Sequence, residues 1–232
     1  MPLPQIVFLH ALPLDGTMWR AEIERYGGQA IAPSLYLFGK SLHEWSTGVL
    51  EMASDGPLIV IGCSVGGSCA LEVAYTAPDR VLGVVMVGAK AGVRPDPTRR
   101  DEAIGFVRND GLQKAWGKYW RPIFGRNATP AVLGAAQETA LLQHPDHIVD
   151  GLRAFHDRRD LTDFARAWQG TIVSISGDQD RSPSASANDG WTSLPNRSFH
   201  IVDDCGHYVN LEQPQRFHEL LDDALTLISQ RV

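Results

Sequence analysis

One stretch constrains this chain more than any other: an apolar run that ends abruptly in a serine framed by glycines. Leu58-Ile59-Val60-Ile61 leads into Gly62-Cys63-Ser64-Val65-Gly66 and then straight into Gly67-Ser68-Cys69-Ala70-Leu71. The β-branched run reads as a buried strand and the Ala/Leu/Glu-containing stretch after it as a helix, with a very tight turn between them. Ser64 stands at the apex. Chain entering such a turn passes so close to chain leaving it that side chains at positions 62 and 66 would collide, hence the glycines.

The same alternation recurs along the chain. Gln5-Ile6-Val7-Phe8-Leu9 reads as a first strand, and Thr17 is placed to cap a helix holding Met18, Trp19 and Ile23. Gln29-Ala30-Ile31-Ala32 is a weaker strand, and Ser41-Leu42-His43-Glu44 is a capping box for the next helix. The helix after Ser64 runs to about Ala77, and Pro78 ends it. Further strands are expected at Val81 to Val87, Thr171 to Ser176 and Phe199 to Val202, and a last helix carries Phe217, Leu220, Leu221, Ala224, Leu225 and Ile228 on one face. Strands that alternate with helices and read as unbroken apolar runs indicate an α/β fold, a mostly parallel sheet covered on both faces.

Between Arg94 and about Trp168 the pattern turns helical. Leu112, Trp116, Tyr119, Trp120, Ile123 and Phe124 form an aromatic-rich helical stretch, Thr129-Pro130 a cap with proline at the first helical position, and Asp146 a cap for a helix with Ile148, Leu152 and Phe155 on one face. The expected division is therefore a core of residues 1–93 and 169–232 with a helical insertion at 94–168.

A chain of 232 residues suits one such domain. A net charge of −6 argues against nucleic acid or an anionic membrane as main partner. No apolar stretch reaches membrane-spanning length, and Met1-Pro2-Leu3-Pro4-Gln5 does not read as a signal peptide. Three cysteines, Cys63, Cys69 and Cys205, read as reduced thiols in a cytoplasmic protein.

Each chemically suggestive group directly follows an expected strand: His10 to Leu12, Ser64, Asp180 and His207. Strands of a parallel sheet end along a common edge, where ligands bind in such folds. Here the sequence resembles the α/β-hydrolase family over essentially its whole length. The likeness rests on Gly62-Cys63-Ser64-Val65-Gly66, then Gly177-Asp178-Gln179-Asp180 with Pro183 shortly after, then Gly206-His207-Tyr208-Val209-Asn210-Leu211-Glu212-Gln213-Pro214, in that order. Smaller echoes are Gly39-Lys40-Ser41 and Ala77-Pro78-Asp79-Arg80-Val81. The resemblance implies a sheet of about six strands and makes the helical insertion a lid.

It also implies a catalytic triad of Ser64, Asp180 and His207. A serine hydroxyl is a poor nucleophile until a base accepts its proton during attack. His207 would take that proton and return it to the leaving group, while Asp180 would fix the imidazole tautomer. The oxyanion donors would be the backbone N–H groups of Val65 and Leu12. Asp178 competes with Asp180, which the Gly-x-x-Asp spacing favours; Asp203 and Asp204 read as loop-forming or capping groups. His10 would order the oxyanion loop, although the family usually has His-Gly where this chain has His10-Ala11, which leaves the loop's shape and its donor open. Cys63, one residue before the apex, reads as a packing residue.

Trp116, Tyr119, Trp120, Phe124 and Phe155 are candidates to line an apolar substrate pocket or to form the core of the lid. Arg99, Arg100, Lys114, Lys118, Arg121 and Arg126 could equally recognise a carboxylate. His144-Pro145-Asp146-His147 is assigned no metal, and no cofactor is expected. The resulting expectation is an ester hydrolase for a small to medium, fairly apolar substrate. Lactonase, thioesterase or carbon–carbon bond hydrolase chemistry with the same triad, and a triad-retaining small-molecule receptor, stand as alternatives. Oligomeric state is left open.

Overall fold

A computed structural model describes residues 3–93, 96–181 and 194–230. Its order begins with β1 (Gln5–Leu9), α1 (Arg20–Tyr26), β2 (Ala30–Ile31), α2 (Leu42–Met52), β3 (Leu58–Cys63), α3 (Val65–Thr76) and β4 (Val81–Val87). A helical segment follows: α4 (Pro97–Ala115), α5 (Pro130–Leu141), α6 (Pro145–His156) and α7 (Thr162–Ala167). It closes with β5 (Thr171–Gly177), β6 (Arg197–Val202), the short α8 (Val209–Glu212) and α9 (Pro214–Ser229).

The six strands form one sheet in the order β2-β1-β3-β4-β5-β6, and every pairing is parallel. β3 is buried at all six positions and β5 at all seven, which accounts for apolar runs that lack alternation. α9 lays Phe217, Leu220, Leu221, Ala224 and Ile228 into the core. Because all strands point the same way, residues 10, 64, 88, 178 and 203 all leave the sheet at one edge.

Some local details differ from the sequence reading. Asp15, not Thr17, caps the first helical turn, with its carboxylate accepting the Thr17 N–H at 2.9 Å. His144 caps α6, its ring Nδ1 accepting the Asp146 N–H at 3.3 Å, because Pro145 holds the first helical position and pushes Asp146 into the turn. The stretch from Leu112 to Phe124 is no continuous α-helix. Gly111 breaks α4 at φ 81°, and the chain then passes through a π-turn at Trp116–Trp120 and a 3-10 turn at Arg121–Ile123. The Ser41–Glu44 capping box forms as expected, with the Glu44 N–H on Ser41 Oγ at 3.2 Å. Arg94 and Pro183 lie outside the described residues.

Candidate active site

Ser64 sits between β3 and α3 at φ 55°, ψ −118°, a conformation that costs a non-glycine residue about 1–3 kcal/mol. Neighbouring backbone holds it there. Its N–H donates to the Val87 carbonyl at 2.8 Å, and its carbonyl accepts from Gly67 and Ser68 at 3.0 and 3.2 Å. A Cβ on Gly62 would fall 2.1 Å from the Gly66 carbonyl oxygen, and one on Gly66 would fall 2.2 Å from that of Leu9. Both positions therefore exclude any side chain.

His207 Nδ1 lies 2.8 Å from Asp180 Oδ2, with the two side chains 3% and 1% exposed. Asp178 faces away and accepts the Cys205 N–H at 3.0 Å, so of the two acids after β5 it is Asp180 that meets the imidazole. Gly88, at φ 56° just past β4, leaves room for the ring: a Cβ there would approach His207 Nδ1 to 2.9 Å. Asp204 adopts φ 54° in the turn after β6 and accepts from the Gln179 side chain at 3.3 Å, while Asp203 lies exposed beside it. Cys63 is buried, which pushes its thiol well above the usual range, and its Sγ points at the His207 carbonyl at 3.9 Å.

The loop after β1 is fixed through His10. Its Nε2 accepts the Leu35 N–H at 2.9 Å, which places the ring proton on Nδ1, 3.2 Å from the Ala11 carbonyl. Burial lowers its pKa to about 4. Ala11 is not among the residues with positive φ, so the loop follows its path without a glycine, and a cis Leu12–Pro13 peptide comes directly after. The Leu12 carbonyl accepts from the Tyr208 hydroxyl at 2.9 Å, joining this loop to the residue after His207. Val65 is the first residue of α3, where backbone N–H groups have no intrahelical acceptor.

Of the five aromatic pocket candidates, Trp116, Trp120 and Phe124 are buried, and Tyr119 and Phe155 are partly so. Phe124 packs on Trp116 at 5.8 Å and on Tyr208 at 4.6 Å between ring centroids, which brings it beside the His207 loop. Phe155 instead lies under the Arg158 guanidinium, whose Cζ is 4.1 Å from the ring centroid. Among the basic candidates, Arg100 pairs with Asp101 and Asp157, Lys114 pairs with Asp110, and Lys118 lies over the Phe106 and Tyr119 rings. Arg126 reaches the acid loop, with its N–H on Gln179 Oε1 at 2.8 Å.

Sequence reasoning gave Glu212 no role. Its Oε2 accepts from Gly125 and Gly206 at 2.7 and 3.0 Å, and its Oε1 accepts from Tyr208 at 3.1 Å. Burial raises its pKa, and these three N–H groups oppose the rise. Its spacing of five residues after His207, across the start of α8, was the available signal.

Residues 6–220 match the family model described as the alpha/beta hydrolase family. The chain is 25% identical to a putative 2-succinyl-6-hydroxy-2,4-cyclohexadiene-1-carboxylate synthase of Bacillus subtilis, over 73% of this chain and 66% of that protein. It is also 25% identical to an esterase of Mycobacterium tuberculosis, over 96% of this chain and 83% of that one. A thermophilic esterase structure from Thermogutta terrifontis superposes with a TM-score of 0.87 at 21% identity, covering 97% of this chain and 90% of that one. A parallel six-stranded sheet carrying a strained serine turn, together with a family match across nearly the whole chain, makes this protein a member of the α/β-hydrolase family.

Proposed function

We propose that this chain hydrolyses carboxylic esters of small to medium, fairly apolar substrates through an acyl-enzyme on Ser64. The observation that carries the reading is the 2.8 Å contact between Asp180 and His207 at the sheet edge where Ser64 sits in its strained turn. In this reading His207 Nε2 takes the Ser64 proton as the hydroxyl attacks the ester carbonyl, while Nδ1–H stays on Asp180. The proton then passes to the leaving alcohol. Water enters, and His207 activates it to release the acid. The N–H groups of Val65 and Leu12 hold the oxyanion, each worth about 3–4 kcal/mol in the transition state. The inserted helices act as the lid, and Phe124, beside Tyr208, is the pocket candidate nearest the base.

Lactones, thioesters and activated carbon–carbon bonds can react at the same three groups, so a substrate panel must accompany the ester assay. The three free, buried cysteines support a reducing, cytoplasmic setting. No helix among the described residues is long and apolar enough to cross a membrane.

The test is turnover of p-nitrophenyl esters of graded chain length by the wild type and by Ser64→Ala. Multiple turnovers that fall by at least about a thousandfold in the variant, with unchanged circular dichroism, are expected. A single slow burst in the wild type favours the receptor alternative. Activity that survives Ser64→Ala and is lost in Cys63→Ala overturns the nucleophile.

A further inference from the structure

We infer that Glu212 is a positioning residue for the base: its carboxylate fastens the loop carrying His207 to the segment that follows the π-turn of the helical insertion. This inference rests on the proposed role of His207. Three backbone N–H groups converge on one side chain. Two of them, from Gly206 and Tyr208, flank His207 on either side, and the third, from Gly125, belongs to the insertion. The two segments also touch directly. The His207 N–H donates to the Ile123 carbonyl at 2.9 Å, and a Cβ on Gly206 would lie 2.1 Å from the Gly125 nitrogen.

The acceptor has to be a carboxylate for all three donors to be met. An amide at position 212 has one accepting oxygen and turns its NH₂ toward at least one backbone N–H, setting donor against donor. His207 itself needs a fixed ring, because its Nδ1 must stay on Asp180 while the opposite nitrogen handles the proton. Glu212 thus makes the alignment of the base depend on how the insertion seats, acting through the backbone on either side of it.

Glu212→Gln keeps the side chain's size and tests this in two independent ways. The first needs no substrate: the downfield imidazole proton of His207, observed by NMR in the folded protein, is expected to shift or broaden relative to the wild type. The second is kinetic: kcat on a p-nitrophenyl ester is expected to fall about 10- to 100-fold with KM within a factor of three. An unchanged imidazole signal and unchanged kcat in a folded variant overturn the inference. If the wild type turns over no ester, the hydrolase reading fails, and the NMR comparison still decides the role of Glu212. Should Glu212→Gln not fold, Glu212→Asp replaces it. Its shorter arm cannot reach all three donors, so lowered kcat at unchanged KM is expected, and wild-type kcat in the folded Asp variant overturns the role.

Discussion

At the scale of single residues, two neighbouring acids give a sharp contrast. Asp180→Asn replaces the carboxylate beside His207 Nδ1 with an uncharged amide whose NH₂ favours the wrong imidazole tautomer, and on the proposed mechanism is expected to lower kcat by about 10⁴. Asp178→Asn keeps an oxygen that can accept the Cys205 N–H and should stay within about tenfold of the wild type. The reverse ranking in a steady-state ester assay would move the acid to position 178. His10 governs a second measurable property. Burial holds its pKa at about 4, below the 6.5 of an exposed imidazole, so between those values the unfolded chain binds the extra proton. The contribution is complete above about pH 6.5 and is lost as pH falls toward 4, at no more than about 1.4 kcal/mol per unit and about 3 kcal/mol in all. Burial lowers His156 and His200 in the same direction. The His10 share is therefore the difference between the wild type and His10→Asn in urea midpoints at pH 7 and pH 5. A variant whose midpoint drops as steeply as the wild type's would remove His10 from this role.

Among the elements, the strand–turn–helix unit around Ser64 was the most legible, because glycine at 62 and 66 answers a steric demand that sequence states directly. Gly66→Ala places a methyl against the Leu9 and His10 carbonyls, and about 3 kcal/mol or more of stability is expected to go, measured by urea unfolding. A loss below 1 kcal/mol would mean that β1 can move aside. The helical segment was less legible. Its apolar spacing reads as helical, yet the glycine at 111 takes up the left-handed region and the chain widens into a π-turn at Trp116, a departure that the spacing of apolar residues does not state. The caps at Asp15 and His144 were missed for a local reason. Several residues near each helix start can cap, and the choice falls to whichever side chain reaches a free N–H. The contacts of Glu212 were hidden because its partners are backbone groups, one of them 87 residues away at Gly125, which carry no side-chain signature.

For the whole molecule, the parallel sheet was legible from unbroken apolar runs, whereas the strand order was not, because those runs carry no signal of which neighbour each strand pairs with. Phe217 anchors α9 in the core and packs at a tilt on Trp19, 5.8 Å between ring centroids, so Phe217→Ala is expected to cost about 3–5 kcal/mol in thermal or urea unfolding. A smaller loss would show that α9 repacks. The way α9 covers β4 bears on how the protein is made. A Cβ on Gly83 of β4 would press on Ile228 at 2.6 Å, so this face of the central sheet is covered by a helix synthesised well over a hundred residues after the strand. At about 5–20 residues per second, a ribosome leaves that hydrophobic face bare for on the order of ten seconds after β4 emerges. Nascent chains stopped short of Pro214 should therefore recruit holdase chaperones that release chains extended past Ser229, and equal chaperone occupancy of both would show that the early strands shelter themselves.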